Sequence, residues 1–274
     1  MIKFRAMTFN VRGIFPSMND GVNAWEFRSA FTAEVIRKYS PDVIGFQEMQ
    51  KTHWNDYLAA LPEFERSLGP EADNQEPYCY MSIFWKPDVF EKTDEGKFWL
   101  SPTPEVYSKG WGTSCVRSAN WTRLRPKGGE GFELLFLDTH LDHGSRLAKI
   151  EGARLIAKRL EEIRRKSDLV LVTADFNSVP GSDVHSEFAG AGFADTFLAS
   201  GRKDGPGVST GHGFGRVPPD GMCRIDWILA KTSLPGVTFE NATIATDNKA
   251  PLYPSDHYPY FVDVAIGQDG RHGC

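Results

Sequence analysis

Side chains that can perform acid–base or metal chemistry recur at one kind of position in this 274-residue sequence, next to an apolar run that predicts a β-strand. They are Asn10 after AMTF, Glu48 after DVIGFQ, His140 after LLFLDT, Asp175 and Asn177 at the end of LVLVTADFN, Asp226 inside RIDWIL, and Asp256 and His257 before YPYFVDV. Strand ends that meet at one edge of a sheet hold side chains rigidly, so sites are often built there. The pattern predicts that these residues meet at one site.

Glu48 follows six mostly apolar residues, and an unpaired carboxylate is costly to bury. A hard divalent cation would remove that cost, and oxygen ligands suit Mg²⁺ or Mn²⁺. The alternative is that Glu48 caps a helix that begins near Lys51.

Asp175 and Asn177 are two residues apart, so on an extended backbone their side chains point to the same face. One of them could orient or deprotonate a water while the other donates to a phosphate oxygen. The alternative for Asn177 is an Asx turn before SVPGS.

Asp226 lies between Ile225 and Trp227 on a predicted strand, where a lone acid is unusual. An Asp beside a His fixes the imidazole tautomer and keeps the ring cationic, and His257 is the natural partner. His140 could be a core histidine with satisfied hydrogen bonds or a residue of the same site.

Composition indicates an ordinary globular protein, with 41% hydrophobic and 24% charged residues. The net charge of −5 argues against a protein that coats nucleic acid by bulk electrostatics. The start MIKFRAMTFNVRG has no apolar signal region, no later run is long enough to span a bilayer, and the four cysteines form no CxxC pair. We therefore expect a cytoplasmic protein with reduced thiols and no membrane span. We also expect it to be monomeric or weakly associating.

Strand and helix patterns alternate along the whole chain. We predict helices over 23–38, 51–61 and 145–166, a glycine- and proline-rich loop over 201–223, and strands over 2–11, 42–48, 78–85, 96–100, 115–124, 132–141 and 168–176, with RIDWILA, VTFENATIA and YPYFVDVAI as the last strands. No linker divides the chain. A single α/β domain with two packed sheets over residues 1–267 is predicted, followed by a flexible tail over 268–274.

Six blocks together resemble the endonuclease/exonuclease/phosphatase superfamily in order and approximate spacing, from about residue 5 to 265. They are TFN (8–10), GFQE (45–48), LDTHLDH (137–143), TADFN (173–177), RIDWIL (224–229) and SDH (255–257). FWLSPTPE (98–105), THLDH and HGFG before RIDWIL look most like bacterial members of the branch related to the nocturnin-like deadenylases. The resemblance implies a four-layer α/β (α+β) sandwich of two mixed sheets flanked by helices.

The resemblance also implies a metal site. Glu48 would be the principal ligand of Mg²⁺, with Mn²⁺ as a substitute, and Asn10 and Asp256 would ligate the ion or support Glu48. Some members have an Asp two residues after the first Asn, where this chain has Arg12. That departure puts a second metal ligand in doubt and offers a phosphate contact instead.

Catalytic roles follow from the same resemblance. His140 and Asn177 would hold the scissile phosphate, and Asp175 would position the attacking water or assist the leaving group. Asp226 would orient His257, which would stabilise charge on the phosphate or act as a general acid or base. A cation and fixed donors stabilise the charge that phosphoester hydrolysis places on the non-bridging oxygens.

Substrate contacts are predicted at the edges of these motifs. Many relatives read TFHGF where this chain reads TGHGF, which suggests His212 as a rim residue. His143 could be a substrate contact or part of a hydrogen-bonded turn. In the segment 106–126, Lys109, Trp111 and Arg117 belong to a series of basic and aromatic residues that could hold phosphates and stack bases. The alternative makes Trp121 and Leu124 core residues, and Arg123 and Arg125 exposed strand residues.

Three functions remain open at this point. The first is a Mg²⁺-dependent endonuclease or exonuclease, a phosphodiesterase acting on ends or on single-stranded nucleic acid. The second is a phosphatase or phosphodiesterase of a small sugar, inositol or lipid-linked phosphate, which the acidic net charge and the lack of basic tails favour somewhat. The third is a binding module that retained the fold without catalysis.

Overall fold

Residues 1–71, 79–128, 131–217 and 223–267 are described by a computed structural model of the chain. Within them the strands are β1 (Ile2–Asn10), β2 (Val43–Met49), β3 (Glu65–Leu68), β4 (Tyr80–Trp85), β5 (Phe90–Trp99), β6 (Ser118–Pro126), β7 (Glu133–His140), β8 (Asp168–Asp175), β9 (Ala194–Asp195), β10 (Asp226–Thr232), β11 (Val237–Ile244) and β12 (Tyr260–Ile266). The α-helices are α1 (Trp25–Tyr39), α2 (Lys51–Ala60), α3 (Arg146–Ile163), α4 (Asp183–Gly190) and α5 (Thr196–Ala199).

The strands of the described chain form two six-stranded mixed sheets. The first has the order β11-β12-β1-β2-β4-β3 and the second β5-β6-β7-β8-β10-β9. The pairs β1–β2 and β7–β8 are parallel, and the other pairs are antiparallel. The predicted sandwich of two mixed sheets flanked by helices is confirmed.

Alternating side chains on the strands fill three apolar layers. In β7, Leu134 and Phe136 pack between the two sheets, whereas Leu135 and Leu137 pack against α3 and α4. A third layer lies between the first sheet and the helices α1 and α2. The central strands are therefore apolar on both faces, which is why their sequences read as nearly continuous hydrophobic runs.

Several elements differ from the sequence expectation. Strand β5 begins at Phe90, six residues before the predicted start, because it is an edge strand whose exposed EKTDEGK stretch has no apolar pattern. The short elements β3, α4, β9 and α5 were not predicted. The predicted tail at 268–274, residue 78 of the predicted strand 78–85 and residues 218–222 of the predicted loop lie outside the described residues. The single domain over 1–267 stays a prediction.

Arg123 was expected to be an exposed strand residue, and that expectation is wrong. Its side chain is 2% exposed and forms an ion pair with the buried Asp168, while Arg125 is exposed as expected. Asp168 at the start of β8, 45 residues further along the chain, pairs this buried charge.

Strand register brings the ends of several strands to one edge of the sandwich. His140 at the end of β7 lies opposite Asp175 at the end of β8, and Asp175 lies opposite Asp226 at the start of β10. In the first sheet, Asn10 at the end of β1 pairs with Gln47. None of the helices in the described part of the chain has the length and apolar character needed to cross a bilayer.

Candidate active site

Three residues at this edge adopt a left-handed backbone conformation. The φ angles are 58° at Arg12, 60° at Glu48 and 47° at Asn177, a region that non-glycine residues rarely occupy. At Glu48 the register between β2 and β4 shifts, so the residue leaves the regular strand alternation. Local strain of this kind is retained where the surrounding structure fixes it, and it clusters at functional sites.

Glu48 faces the other carboxylates and does not cap α2. Its Oε1 accepts from Asn10 Nδ2 at 3.0 Å, and its Oε2 accepts from the backbone N–H of Gly13 at 2.8 Å. The residue that caps α2 is Gln50. The helix-capping alternative for Glu48 is therefore wrong.

Asn10 links two acidic residues through one amide group. Its Nδ2 also donates to Asp175 Oδ2 at 3.1 Å, while its Oδ1 accepts the backbone N–H of Arg12 at 2.9 Å. Since the amide oxygen is engaged by Arg12 and the nitrogen faces the carboxylates, Asn10 supports Glu48 in this structure.

Asp256 is the second acidic residue near Glu48. Burial raises the pKa of Asp256, and the negative charge of Glu48 raises it further, although His257 opposes the shift. Arg12 Nη1 lies 3.5 Å from Asp256 Oδ2, and Arg12 also forms an ion pair with Asp20 at 3.0 Å. Two carboxylates that repel each other on a partly buried floor form an oxygen donor set suited to a hard cation.

Asp226 and His257 form a hydrogen-bonded pair. His257 Nδ1 lies 2.9 Å from Asp226 Oδ2, and His257 Nε2 lies 3.8 Å from Asp175 Oδ2. Burial alone would lower the pKa of His257, but the charges of Asp226 and Asp175 outweigh it and raise the pKa well above its ordinary value. The raised pKa favours the imidazolium form of His257, a cationic donor inside the site.

Asp175 lies close to a second carboxylate, that of Asp226, which disfavours its charged form. Burial raises the pKa of Asp175, and the charge of Asp226 raises it further. Ligand atoms of Asp175, Asp226 and His257 all lie within 4.8 Å of one another. The imidazolium form of His257 places positive charge beside both carboxylates, at 2.9 Å from Asp226 Oδ2 and 3.8 Å from Asp175 Oδ2.

His140 and Asn177 lie together beside Asp175. The Nε2 atom of His140 is 2.9 Å from Asn177 Nδ2 and 3.3 Å from Asp175 Oδ2. Burial lowers the pKa of His140 well below its ordinary value, and the positive charges of Arg117 and His257 lower it further. The site thus combines a neutral histidine with a cationic one.

A cavity of about 500 Å³ opens over these groups. The predicted site residues that line it are Arg12, Glu48, Lys109, Arg117, His140, His143, Asp175, Asn177, Asp256 and His257. Asn10 and Asp226 lie behind this lining and contact it through hydrogen bonds. The structure thus brings twelve of the fourteen predicted residues together at one place.

Two predicted substrate contacts do not line the cavity. His212 is buried, stacks on Tyr258 with ring centroids 3.8 Å apart, and accepts the N–H of Gly215 at 3.0 Å. Trp111 is half-buried, and its carbonyl accepts the hydroxyl of Ser145. Both residues hold loops, which disagrees with the expected rim position of His212.

One wall of the cavity carries cations without carboxylate partners in the described chain. Lys109 donates to the carbonyl of Ser114 at 2.9 Å, and Arg117 Nη2 lies 3.4 Å from His143 Nδ1. The Nε atom of Arg117 is buried and has no hydrogen-bond partner among the described residues. We call Lys109, Arg117 and His143 the basic wall.

Asp142 fixes the loop that carries the basic wall. Its carboxylate accepts from Thr113, Ser114, Gly144 and Ser145. Burial would raise the pKa of Asp142, but these hydrogen bonds outweigh it and lower the pKa far below its usual range. Although Cys115, Asp142 and His143 are close enough to be considered a metal site, the carboxylate is saturated with donors and has no lone pair left for an ion.

Sequence patterns did not reveal Arg28, which is buried under the site. Its guanidinium donates to the carbonyls of Asn23, Val11, Pro254 and Arg12. Burial lowers the pKa of Arg28 to about 10. The one sequence feature that could have indicated its burial is its place in α1 among apolar residues such as Trp25 and Phe31. The apolar lining residues Phe15, Met81, Tyr107 and Val116 were also missed, since they lie on irregular segments or at strand positions without a pattern.

Comparisons with known proteins agree with this geometry. A family model described as the endonuclease/exonuclease/phosphatase family matches residues 7–257. An endonuclease/exonuclease/phosphatase from Bacteroides vulgatus is 28% identical, with a TM-score of 0.86 over 97% of this chain and 100% of that chain. A mannosyl-6-phosphatase from Bacteroides thetaiotaomicron is 25% identical, with a TM-score of 0.85 over 96% and 100%.

Two further matches share the fold at low identity or cover only part of the chain. The human nocturnin catalytic domain, with a bound sulfate anion, is 18% identical with a TM-score of 0.75 over 97% of this chain and 95% of that domain, and shares the fold. An uncharacterized protein of Acanthamoeba polyphaga mimivirus is 27% identical over 112 residues, which are 39% of this chain and 42% of that protein. The chain thus matches less than half the length of this curated relative.

Proposed function

The chain belongs to the endonuclease/exonuclease/phosphatase family, whose members hydrolyse phosphoester bonds, and from that premise we propose that it is a divalent-metal-dependent hydrolase of a small phosphorylated molecule. The observation that carries the proposal is the cavity of about 500 Å³, which has carboxylates and an imidazolium on its floor and a basic wall beside them. Pockets of this size suit small ligands.

Metal binding is supported by the donor set on the floor. Glu48 and Asp256 are the residues that would hold a Mg²⁺ or Mn²⁺ ion, with Asn10 orienting Glu48. The mutual repulsion of the two carboxylates is relieved by a cation, and carboxylate oxygens are the ligands that Mg²⁺ prefers. When bound, such an ion supplies Lewis-acid stabilisation of charge on phosphate oxygens.

The chain's own residues would perform the remaining tasks. Asp175, held by Asn10 Nδ2 and by the N–H of Asn177, is placed to orient the attacking water as a hydrogen-bond acceptor. His257, held by Asp226, donates from Nε2 to a phosphate oxygen and stabilises the negative charge that develops there. Asn177, with His140 beside it, would hold the phosphate on the other side of the cavity.

The basic wall supports an anionic substrate of limited size. Arg12 is compensated by Asp20 and Asp256, whereas Arg117 and Lys109 have no carboxylate partner in the described chain. An uncompensated cation at a partly buried surface gains most from an anionic ligand. These cations are local to the cavity, and the net charge of −5 opposes bulk electrostatic attraction of a long polyanion.

A nuclease is the second candidate, and one observation favours it. Phe15 and Tyr107 line the cavity together with the basic wall, and aromatic side chains can stack a nucleobase. Salt separates the two candidates, because binding of a polyanion releases counterions and weakens steeply as salt rises.

The test is a panel of phosphoesters with Mg²⁺, Mn²⁺ or a chelator: a hexose 6-phosphate, an inositol phosphate, bis-p-nitrophenyl phosphate, single-stranded RNA and DNA, and nicked plasmid. We expect metal-dependent turnover of a small phosphoester with little change between low and physiological salt. If a nucleic acid is the preferred substrate and its binding weakens steeply as salt rises, the protein is a nuclease and the first candidate is wrong. Absence of turnover with every compound and metal would indicate the binding module. Monomeric state and cytoplasmic location stay predictions.

A further inference from the structure

We infer that Thr210 is a positioning residue that sets the geometry of the Asp226–His257 pair, an inference that rests on the proposed function of that pair. Asp226 begins a strand of the second sheet, while His257 precedes β12 of the first sheet. Their contact therefore depends on how two separate sheets are joined at this edge.

Thr210 contacts Asp226 directly and reaches the His257 segment through the neighbouring residue Tyr258. Its Oγ1 accepts the backbone N–H groups of Ile225 and Asp226, each at 3.0 Å. Its carbonyl accepts the N–H of Tyr258 at 2.7 Å, and the next residue, Gly211, forms an isolated β-bridge with His257. The side chain thus holds the start of β10, and the main chain holds the segment that carries the histidine.

The carboxylate of Asp226 has few constraints of its own. Its Oδ2 contacts His257 Nδ1 at 2.9 Å, and its buried Oδ1 has no hydrogen-bond partner among the described residues. The position of the carboxylate is therefore set by the backbone of Asp226, whose N–H donates to Thr210 Oγ1. Loss of that hydroxyl would leave the buried N–H of Asp226 and the partly buried N–H of Ile225 without this acceptor, and a shift of the chain is the means to satisfy them.

Thr210 cannot act on the substrate directly. It is fully buried and is absent from the residues that line the cavity. Its effect on catalysis must therefore pass through Asp226 and His257, and a small displacement of catalytic groups is enough to change the rate strongly.

The decisive variant is Thr210→Val, which removes the acceptor at nearly constant volume, compared with Thr210→Ser, which keeps the oxygen. With the phosphoester that the wild type turns over, we expect kcat to fall about 100-fold in Thr210→Val. KM should change less than about threefold, and Thr210→Ser should stay near wild type. In the proton NMR spectrum, the low-field signal of the His257 Nδ1–H···Asp226 hydrogen bond should shift or disappear in Thr210→Val alone.

Thr196→Val is the matched control. Thr196 is also fully buried, and its hydroxyl contacts the Ile228 carbonyl and the Tyr260 hydroxyl, both at 2.8 Å. It therefore links the same two strands, β10 and β12, away from the Asp226–His257 pair. We expect Thr196→Val to lower Tm while leaving kcat and the low-field signal unchanged.

A double variant tests the route of the effect. If Thr210 acts through Asp226, Thr210→Val in an Asp226→Asn background should lower kcat by less than about threefold more. The inference is overturned if Thr210→Val keeps the wild-type kcat and low-field signal. It is also overturned if Thr210→Val lowers kcat by the full factor of about 100 in the Asp226→Asn background, or if Thr196→Val lowers kcat as much as Thr210→Val does. If Thr210→Val does not fold, Thr210→Cys replaces the oxygen by a weak acceptor and the same outcomes apply.

The NMR measurement separates the two proposals, because it needs no substrate. An unaltered low-field signal in Thr210→Val contradicts the positioning role whatever the activity. A lost signal in that variant, together with a wild type that hydrolyses no phosphoester, supports the positioning role and contradicts the proposed function only.

Discussion

Asn10 holds Glu48 in place, since its Nδ2 donates to the Glu48 carboxylate at 3.0 Å. The two residues end neighbouring parallel strands, and the same amide reaches Asp175 on the other sheet. One asparagine therefore ties the metal-binding side of the proposed site to the side that orients water.

Glu48→Gln should leave the fold intact and abolish turnover. The amide keeps the shape but removes the charge that would hold a divalent ion, so we expect kcat to fall by about a thousandfold or more. Glu91→Gln, at an exposed position on β5, is the control and should be silent. Calorimetric titration with Mn²⁺ should show binding to the wild type and weak binding to Glu48→Gln. Wild-type activity in this variant would remove Glu48 from the metal site.

Asp226→Asn should lower kcat far more than it raises KM. The carboxylate holds the His257 imidazolium and does not line the cavity, so its loss affects the charged transition state more than substrate binding. We expect a fall in kcat of about 100-fold or more, measured by steady-state kinetics with unchanged Tm. A loss confined to KM contradicts the proposed role.

Arg117→Ala should weaken substrate binding. Arg117 lines the cavity without a carboxylate partner in the described chain, so an anionic substrate would be its counter-ion. We expect KM to rise about 10- to 100-fold, as for a lost hydrogen bond to a charged group. Arg125→Ala, on the same strand region but exposed and paired with Glu133, serves as the control. Equal kinetics of the two variants would place the substrate elsewhere.

Arg28→Met should destabilise the protein and disorder the site. The guanidinium donates to four backbone carbonyls, three of them in the segments that carry Arg12 and Asp256, and methionine leaves those acceptors without this donor. We expect the free energy of unfolding to fall by about 2–4 kcal/mol in urea denaturation. Arg28→Lys can donate to some of these carbonyls, so its free energy of unfolding should lie between those of wild type and Arg28→Met. A stable, fully active Arg28→Met would show that the clamp is dispensable.

Asp138→Asn should stabilise the protein increasingly as pH rises. Asp138 is fully buried, and burial raises its pKa well above the ordinary value, although Gln47 and Thr173 donate to its Oδ1. The stability that neutral Asp138 contributes is fully present below the unfolded pKa, near 4, and is lost as pH rises through the folded pKa. Asparagine does not titrate, and its amide oxygen can still accept from Gln47 and Thr173 as Asp138 Oδ1 does.

Urea denaturation between pH 5 and 8 measures this effect. The difference in unfolding free energy between Asp138→Asn and wild type should grow with pH, by up to about 1.4 kcal/mol per unit. Asp263→Asn gives the opposite sign, because Arg5 and Asn241 donate to Asp263 and outweigh burial to lower its pKa. That variant should be less stable than wild type by a constant amount between pH 5 and 8, and the difference should shrink only below about pH 4, as pH falls from the unfolded pKa through the lowered folded pKa. A flat difference for Asp138→Asn would contradict a buried neutral acid.

The sequence by itself determined the sandwich and the set of polar residues at its edge. Runs such as LVLVTADFN carry the information locally, because apolar residues on both faces of a strand require two covering layers. A polar residue directly after such a run must lie at the sheet edge. This reasoning placed His140, Asp175 and Asp226 correctly relative to the strands, and the register then brought them side by side.

Only the tertiary structure decided the surroundings of that set. Arg123 is buried because Asp168 meets it across 45 residues, and His212 stacks on Tyr258 from a separate loop. Neither contact could be predicted from neighbouring residues, because the local sequence around a charged or aromatic residue does not show whether a distant partner buries it. The cavity walls and the Thr210 contacts likewise come from irregular segments, whose conformation is set by hydrogen bonds to distant chain and not by side-chain periodicity.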